Sequence, residues 1–287
     1  MSEWHIGPNE NLQDVFNLAP AGTTIHLHRG IYRQKICIRT PGLKIIGDSA
    51  DHTVIVNGDY ARNLDSVNRL FNTFRTYTVA VAADGVQFSN LTISNDAGSP
   101  EVKGQQIALS VYGNDFIMRN CKLISTQDTL FLGPLPPDLI IRYRDLLSPF
   151  LRSPNPLSSL FENTLIEGSV DFIFGCGDAS FSNCEMRSVA QIGSRGYVAA
   201  PSHSEDDRFG FVFSGCRFTA DSDVPAHSVF LARPWRDYGK AVFTSCQYGN
   251  HIHPLGFDPW GSTSRYETAR FYESPMPDGR VTWARKF

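Results

Sequence analysis

A six-residue pattern recurs along the chain and constrains the fold more than any other feature of the sequence. Its apolar residues flank a third position that holds Asn, Gly or Ser, residue types that favour turns. The copies are FSNLTI from Phe88, MRNCKL from Met118, FENTLI from Phe161, FSNCEM from Phe181, FSGCRF from Phe213 and FTSCQY from Phe243. Their first residues lie 20 to 43 positions apart. Repeats of about 20–50 residues are typical of solenoid proteins.

The apolar residues change sides at the third position of the repeat. In the first copy, Val86 and Phe88 alternate before Asn90, whereas Leu91 and Ile93 carry the pattern after it. A straight strand keeps its buried residues on one parity. A change of parity at a residue that tolerates left-handed backbone therefore predicts a corner between two strands that face one interior. Strand, corner and strand in every repeat predict an all-β fold, the parallel β-helix.

The segments before the repeats fit an opening coil of the same solenoid. TTIHLHRGIY, QKICI, LKIIG and HTVIVNG have the composition of short strands. NENLQDVFNLAPAG predicts a short helix that ends at Pro20 and caps the open end of the core. We therefore expect residues 1–287 to form a single β-helix domain.

Composition excludes several classes of partner. The chain has 287 residues, a net charge of -3 and 41% hydrophobic residues, which is enough for a sizeable core. A near-neutral charge without a basic run argues against nucleic acid, and no apolar run is long enough to cross a membrane. The N-terminus lacks the basic start and apolar core of a signal peptide. We expect a cytoplasmic protein, or a secreted one if its signal has been trimmed.

Four of the six cysteines lie at the fourth position of a repeat: Cys121, Cys184, Cys216 and Cys246. An even count would allow disulfides in a secreted protein. The shared repeat position favours the other interpretation, free thiols packed in the interior as small apolar residues. There is no Cys-x-x-Cys pair, and His251 and His253 have no third ligand, so no metal site is predicted.

Polar residues interrupt the packing pattern in four stretches. These are GQQIALSV with Gln105 and Gln106, TQDTLF with Gln127 and Asp128, GSVDFIFG with Asp171, and FLARPWRDYG with Arg233 and Trp235. Equivalent residues of neighbouring coils lie about 4.8 Å apart in a parallel β-helix. We therefore expect Gln105 near Gln127 and Asp128 near Asp171.

A single Asp in a loop is usually a cap or turn residue. Asp171, however, lies between Val170 and Phe172, where an unpaired carboxylate would be costly, and Arg233 is its candidate partner. The set predicts a hydrolytic site with two carboxylates in different environments. One would be a nucleophile held ionised by the arginine, and the other an acid and then a base, with amide donors for an oxyanion.

These blocks resemble a known family. GQQIALSV, QDTLF, GSVDFIFG, GFVFSGCRF and FLARPWRDYGKAVF are similar to the signature blocks of pectin methylesterases, the family 8 carbohydrate esterases. They occur in the family order, and the similarity runs from about residue 10 to residue 260. The resemblance implies a right-handed parallel β-helix, hydrolysis of C6 methyl esters of galacturonate units in pectin or methylated oligogalacturonides, and no metal or other cofactor.

The resemblance also implies residue roles. Asp171 would be the nucleophile, and Asp128 would protonate the leaving methanol and then activate water. Gln105 and Gln127 would donate to the oxyanion, and Arg233 would hold Asp171. Trp235 would offer a flat face to the sugar. The candidate aromatic substrate contacts are Phe131, Phe172 and Tyr238, although such residues can equally fill coils.

The chain departs from the family pattern in three respects, one of which is the missing secretion signal described above. Asp128 and Asp171 are 43 residues apart, about twice the spacing of plant-type members, with an insertion at about 133–160. We expect a helix within DLIIRYRDLLSPFL and an excursion beside the groove that narrows it toward short chains; the alternative is a surface loop without a role. The block that reads TAQGR in many members is VAAPS here, which leaves subsite preference open.

Two other functions stay open from the sequence. One is a related β-helix esterase or thioesterase that acts on another ester, and the other is a β-helix that binds polysaccharide without catalysis. The low charge gives no electrostatic reason for tight binding to long pectin, so we expect short oligomers as substrates and a monomer.

Overall fold

The strands of this protein wind into three parallel sheets that enclose one interior. The structure is a computed structural model that describes residues 2–151, 157–190, 193 and 195–286. Within that part of the chain 26 strands, numbered along the sequence, form sheets of 11, eight and seven strands. Each coil contributes one strand to each sheet in turn, which is the predicted parallel β-helix.

The strand bounds follow, sheet by sheet. Sheet A contains β1 (Glu3–Ile6), β2 (Thr24–Leu27), β5 (Lys44–Gly47), β8 (Gln87–Ser89), β11 (Phe116–Arg119), β14 (Ser158–Glu162), β17 (Asp178–Ser182), β20 (Phe211–Ser214), β23 (Lys240–Thr244), β25 (Arg270–Ser274) and β26 (Arg285–Lys286). Sheet B contains β3 (Gly30–Arg33), β6 (Thr53–Asn57), β9 (Thr92–Asn95), β12 (Lys122–Ile124), β15 (Leu165–Gly168), β18 (Glu185–Ser188), β21 (Arg217–Ala220) and β24 (Gln247–Tyr248). Sheet C contains β4 (Ile36–Ile38), β7 (Val79–Val81), β10 (Leu109–Val111), β13 (Leu130–Leu132), β16 (Val170–Gly175), β19 (Gly196–Pro201) and β22 (Val229–Ala232).

The corner between sheets A and B falls on the third residue of each repeat. All six of these residues have left-handed backbone: Asn90 (φ 56°), Asn120 (52°), Asn163 (48°), Asn183 (52°), Gly215 (63°) and Ser245 (52°). Glycine reaches this region without strain and asparagine tolerates it better than most residues do. The residues on either side, such as Phe88 and Leu91, are both buried. The predicted change of parity is therefore confirmed as a corner.

Aromatic rings stack along the interior face of sheet A. The centroids of Phe161 and Phe181 are 4.9 Å apart, those of Phe181 and Phe213 are 4.7 Å apart, and those of Phe213 and Phe243 are 4.7 Å apart. These distances match the spacing of neighbouring strands, so each coil places its ring directly on the ring of the coil before it. Burial of four such rings is a large part of what holds the coils together.

The repeat cysteines lie beside this stack. Cys121, Cys184 and Cys216 are buried and Cys246 is half-buried, all four at the first position after the corner. All six cysteines of the chain are free thiols in this structure. Their positions agree with the interpretation as small interior residues rather than as partners in disulfides.

A short helix covers the N-terminal end of the core, as predicted. Helix α1 (Leu12–Leu18) begins after Asn11, whose side chain accepts hydrogen bonds from the backbone N–H groups of Gln13 and Asp14. It buries Leu12 and Phe16 against the first coil. Because the helix stops before Pro20, the chain turns directly into β2. None of the described helices is long and apolar enough to span a membrane.

The insertion between β13 and β14 contains less helix than expected. Helix α3 (Pro137–Arg142) is followed by turns and a 3₁₀ turn at Pro149–Leu151, so DLIIRYRDLLSPFL does not form one continuous helix. The remaining helical elements are α2 (Pro100–Lys103) and 3₁₀ turns at Thr73–Arg75 and Arg265–Glu267. The insertion buries Leu139, Tyr143 and Leu147 in a second apolar cluster on the outer face of sheet C. This contact with the sheet fixes its path, and the sequence pattern alone does not reveal it.

Candidate active site

The predicted glutamines and aspartates lie on three consecutive coils at sheet C, and Arg233 follows β22, two coils further along the same sheet. The N–H of Gln106 donates to the carbonyl of Gln127 (3.0 Å), and the N–H of Asp128 donates to the carbonyl of Val170 (3.1 Å). Gln127 also forms a parallel bridge with Val170. Backbone register therefore places Asp128 beside Asp171, and the expected stacking of these coils is confirmed.

Asp171 lies at an irregularity in β16. Val170 pairs with Tyr197 and Ile173 pairs with Ala199, so one extra residue stands between the two pairs, which is a β-bulge. Asp171 has φ 48° at this point. A bulge re-aims side chains, and left-handed backbone at a non-glycine residue is a cost that often accompanies a functional site. The bulge turns Asp171 outward while its neighbour Phe172 stays in the interior.

Arg233 forms a two-pronged ion pair with Asp171. Its Nε donates to Oδ1 at 2.8 Å and its Nη2 donates to Oδ2 at 2.7 Å. The side chains are only 19% and 13% exposed, so this is a strong, partly buried pair. The guanidinium lies between two rings, 3.6 Å from the centroid of Tyr197 and 4.1 Å from that of Trp260. These contacts hold the Asp171 carboxylate in one orientation.

The two carboxyl groups have different environments. Burial and the nearby charge of Asp171 raise the pKa of Asp128 well above its ordinary value, against the opposing effects of Arg233 and Gln127. Burial also raises the pKa of Asp171, but the bound guanidinium of Arg233 opposes that rise. Asp128 is therefore the better proton donor, and Asp171 is the carboxyl group that stays ionised more readily.

Two glutamine side chains line the same cavity. Gln105 and Gln127 are half-buried and border it, on neighbouring coils. Gln106 is fully buried instead, and its Nε2 donates to the carbonyl of Gly98 at 2.7 Å and to that of Gly104 at 3.2 Å. Gln106 therefore holds the loop before β10, which leaves Gln105 as the amide directed to the site, as predicted.

The cavity has a volume of about 460 Å³, within the usual range for small-ligand sites. It brings together all five predicted catalytic residues and the predicted sugar contact Trp235. Its other lining residues are Thr73, Phe74, Leu139, Arg142, Tyr143, Phe174, Ala200, Arg236 and Trp260. Ala200 belongs to the VAAPS block, so the altered block does face the site.

Three aromatic residues predicted to contact substrate do not border this cavity. Phe172 is fully buried among the interior residues, because β16 alternates and the bulge turns only Asp171 outward. Phe131 is also fully buried, 5.0 Å from Phe74 and from Phe174, and supports the cavity wall from behind. Tyr238 is half-buried outside the cavity, where its carbonyl accepts hydrogen bonds from Arg270. The structure does not bring these three residues to the cavity, and their contact with substrate stays a prediction.

Several lining residues were not predicted, because they come from loops without periodicity. Leu139, Arg142 and Tyr143 belong to the insertion, and Thr73 and Phe74 belong to a 3₁₀ turn. Only the packing of these segments on the outer face of sheet C brings them to the site. The Pro-rich flanks of the insertion are a signal that it leaves the coil, but they do not show where it returns.

A second polar cluster lies at the N-terminal edge of sheet A. Among the described residues, Glu3, His5 and His26 place one ligand atom each within 4.8 Å of one another. His5 pairs with His26 across the ladder, and their rings stack at 4.8 Å. This group was not predicted from the sequence. None of the three residues lines the cavity.

The chain matches a protein-family model on both sides of the insertion. The pectinesterase family model matches residues 7–133 and 156–284. The chain belongs to the pectinesterase family. The interruption of the match coincides with the insertion that carries α3, so the family pattern does not include that wall of the cavity.

Individual relatives agree with this membership. Pectinesterase 31 of Arabidopsis thaliana is 27% identical over 293 residues, which is 96% of this chain and 83% of that protein. Other Arabidopsis thaliana relatives, described as pectinesterase/pectinesterase inhibitor proteins, are longer, and this chain spans between 36% and 47% of their length.

Solved structures share the fold. Pectin methylesterase from carrot superposes with a TM-score of 0.82 at 23% identity, over 99% of this chain and 87% of that chain. A pectin methylesterase in complex with a hexasaccharide superposes with a TM-score of 0.78 at 25% identity, over 97% and 88% of the two chains. Both chains follow nearly the whole length of this β-helix.

Proposed function

We propose that this protein hydrolyses the C6 methyl esters of galacturonate units in pectin or methylated oligogalacturonides and releases methanol. One observation carries the proposal: the ion pair of Asp171 and Arg233 lies in one cavity with a buried second carboxyl group, Asp128, and with two amide side chains. Ester hydrolysis through a covalent intermediate requires a nucleophile, a proton donor and an oxyanion site, and the cavity contains a group for each. Membership of the pectinesterase family supports the choice of ester.

The first half of the reaction uses Asp171 as nucleophile. A carboxylate oxygen of Asp171 attacks the ester carbon, and the carbonyl oxygen becomes an oxyanion. The amide N–H groups of Gln105 and Gln127 donate hydrogen bonds to it. Asp128 gives its proton to the methoxy oxygen as the C–O bond breaks, methanol leaves, and a mixed anhydride joins the sugar to Asp171.

The second half of the reaction uses Asp128 as a base. Its carboxylate takes a proton from water, and the hydroxide adds to the same sugar carbon. Collapse of the second oxyanion breaks the bond to Asp171, which leaves as a carboxylate held by Arg233. The product acid then loses its proton to solvent, so each turnover yields one methanol and acidifies the solution.

Trp235 and Trp260 provide surfaces for sugar rings at the cavity. The Trp235 ring meets Phe174 edge to face at 5.7 Å, which fixes its orientation. Trp260 lies over Arg233, so a sugar bound against it would also shield the ion pair from water. Exclusion of water from this pair would strengthen its hold on the nucleophile.

The test is methanol release from highly methylated pectin and from methylated tri- to hexagalacturonates. Wild type should release methanol, and Asp171→Ala and Asp171→Asn should abolish the release while keeping the circular dichroism of the β-helix. Asp84→Asn, in a loop away from the cavity, is the matched control and should keep full activity. A folded wild type that releases no methanol would reject pectin as substrate, and an active Asp171→Ala would reject the nucleophile.

A further inference from the structure

The outer face of sheet A carries a group of metal-binding side chains at its N-terminal edge. Glu3 and His5 alternate with inward residues along β1, so both point away from the interior that holds Ile6. Strand β1 pairs in parallel with β2, and His5 lies directly opposite His26. One oxygen of Glu3 and one ring nitrogen of each histidine lie within 4.8 Å of one another. Three ligand atoms from two strands therefore surround one point.

No protein group in the described part of the chain occupies these ligand atoms. The side chains of Glu3, His5 and His26 form no hydrogen bond and no ion pair there. The rings of His5 and His26 stack at 4.8 Å, and the ring of His28 lies 5.6 Å from that of His5. Glu3 and His5 are exposed and His26 is half-buried. Their side chains can therefore rotate toward a bound ion without loss of core packing.

The donor set selects the kind of ion. Two imidazole nitrogens and one carboxylate oxygen are ligands that Zn²⁺ accepts in tetrahedral sites, with water in the fourth position. Ca²⁺ and Mg²⁺ take oxygen ligands, so the two histidines disfavour them. Zn–N bonds of about 2.0–2.1 Å place the ligand atoms of a tetrahedral site about 3.4 Å apart. From separations of at most 4.8 Å, rotation of these side chains brings the group to that geometry.

The position of the group gives the ion a structural role. Among the described strands, β1 is an edge strand of sheet A and pairs with β2 alone. Terminal segments are poorly ordered unless they are tied to the rest of the fold. The match to the pectinesterase model begins at residue 7, after Glu3 and His5, so the family pattern does not supply this group.

We propose that Glu3, His5 and His26 bind one Zn²⁺ ion, or a divalent ion of the same ligand preference, and that the ion ties β1 to β2. The fold alone brings the three ligands together, so the ion binds the folded chain and stabilises it. The site is separate from the ester chemistry, because none of its residues lines the catalytic cavity. The inference therefore does not depend on the proposed function.

The experiment titrates ZnCl₂ into the full chain, freed of any affinity tag, by isothermal titration calorimetry. Wild type is compared with Glu3→Gln, His5→Gln and His26→Gln. His52→Gln is the matched control, because His52 is an exposed histidine outside the group, and its Nδ1 lies 3.0 Å from the Ser49 hydroxyl. The Tm of each protein is measured with and without Zn²⁺.

Wild type should bind one Zn²⁺ per chain. Loss of a group that only orients a metal ligand costs about 10–100-fold in affinity, so removal of a ligand should cost at least about tenfold. His5→Gln and His26→Gln should bind that much more weakly, and His52→Gln should bind as wild type does. Zn²⁺ at about a hundred times the wild-type Kd should raise the Tm of wild type by roughly 5 °C. At the same concentration, the rise in His5→Gln should be at most about half as large.

Wild type that binds no Zn²⁺ would overturn the site, and so would binding that all three ligand variants retain. Co²⁺ serves as a spectroscopic probe, because a sulfur-to-cobalt charge-transfer band would assign the binding to the free thiols instead. Binding at the proposed ligands without a rise in Tm would overturn the tie between β1 and β2. None of these measurements uses methanol release, so none of the outcomes bears on the proposed function.

Discussion

Replacement of Arg233 by Gln should shift both the activity and the stability of the protein along the pH axis. Arg233 makes two short hydrogen bonds to Asp171, and its charge is what opposes the effect of burial on the pKa of that carboxyl group. A neighbouring arginine lowers a carboxyl pKa by about 1–3 units, so its loss should raise the pKa of Asp171 by that amount. Each unit corresponds to about 1.4 kcal/mol and to a tenfold fall in the ionised fraction below the pKa.

The assay is kcat/KM for methanol release between pH 4 and pH 9. The nucleophile must be ionised, so the rising limb of the profile should move to higher pH by about 1–3 units in Arg233→Gln. Arg233→Lys should lie between the two profiles, because the ammonium keeps the charge but loses the fork and the contacts with Tyr197 and Trp260. A rising limb that coincides with wild type would refute the role of Arg233 in ionising Asp171.

Stability should change in the opposite direction with pH. The pKa of Asp171 in the folded protein lies above its ordinary value, and it lies higher still without Arg233. Such a group adds stability below the ordinary aspartate pKa and loses it as the pH rises through the folded-state pKa. Urea unfolding of Arg233→Gln should therefore show a loss of about 3 kcal/mol at pH 8 and a smaller loss at pH 5. The double variant with Asp171→Asn should recover most of it, and no recovery would contradict a buried, uncompensated charge.

Three further substitutions test the remaining features. Asp128→Asn should abolish methanol release yet raise the free energy of unfolding at pH 7 by at least about 1 kcal/mol. The pKa of Asp128 is raised in the folded protein, so the protonated carboxyl group stabilises the fold at acid pH and this stabilisation is lost as the pH rises. Asn163→Ala should cost about 1–2 kcal/mol in urea unfolding, because φ is 48° there, whereas Asn163→Gly should cost less. Phe213→Ala should cost about 3–5 kcal/mol, because the ring is fully buried between Phe181 and Phe243.

Each of these has its own control and contradicting result. The gain from Asp128→Asn should disappear at pH 4, and a gain that is constant with pH would assign it to packing instead of charge. Equal costs for the Ala and Gly variants of Asn163 would argue against backbone strain. Phe209→Ala, at a ring that is 66% exposed, should leave stability within about 0.5 kcal/mol.

The repeat made the fold predictable from the sequence. The corner at Asn90 and its equivalents requires a left-handed residue, and a change of parity in the apolar pattern marks the same position, so two independent signals agree. The same repeat predicts the register of neighbouring coils, and that register places Asp128 beside Asp171. Both carry positive φ, a conformation that Asp tolerates and that directs them out of the ladder.

The walls of the site were not predictable in the same way. Phe172 is next to Asp171 in sequence, yet the bulge turns Asp171 outward and leaves Phe172 in the interior. Phe131 lies on the outer face of sheet C, where the rings of Phe74 and Tyr112 cover it. Arg142 lies on the insertion between Asp128 and Asp171, and it reaches the cavity through the packing of Tyr143 and Leu139. Loop packing of this kind leaves no periodic signal.

The backbone pairing of coils in sheet C also determines which insertions this fold can accept during evolution. The spacing between Asp128 and Asp171 is set by backbone pairing of adjacent coils, and the length of chain between them does not enter. An excursion of any length that leaves at Leu132 and returns at Ser158 keeps the two carboxyl groups at one strand spacing. Such a scaffold separates reactivity from selectivity, so new substrate preferences can evolve by insertion while the chemistry stays in place.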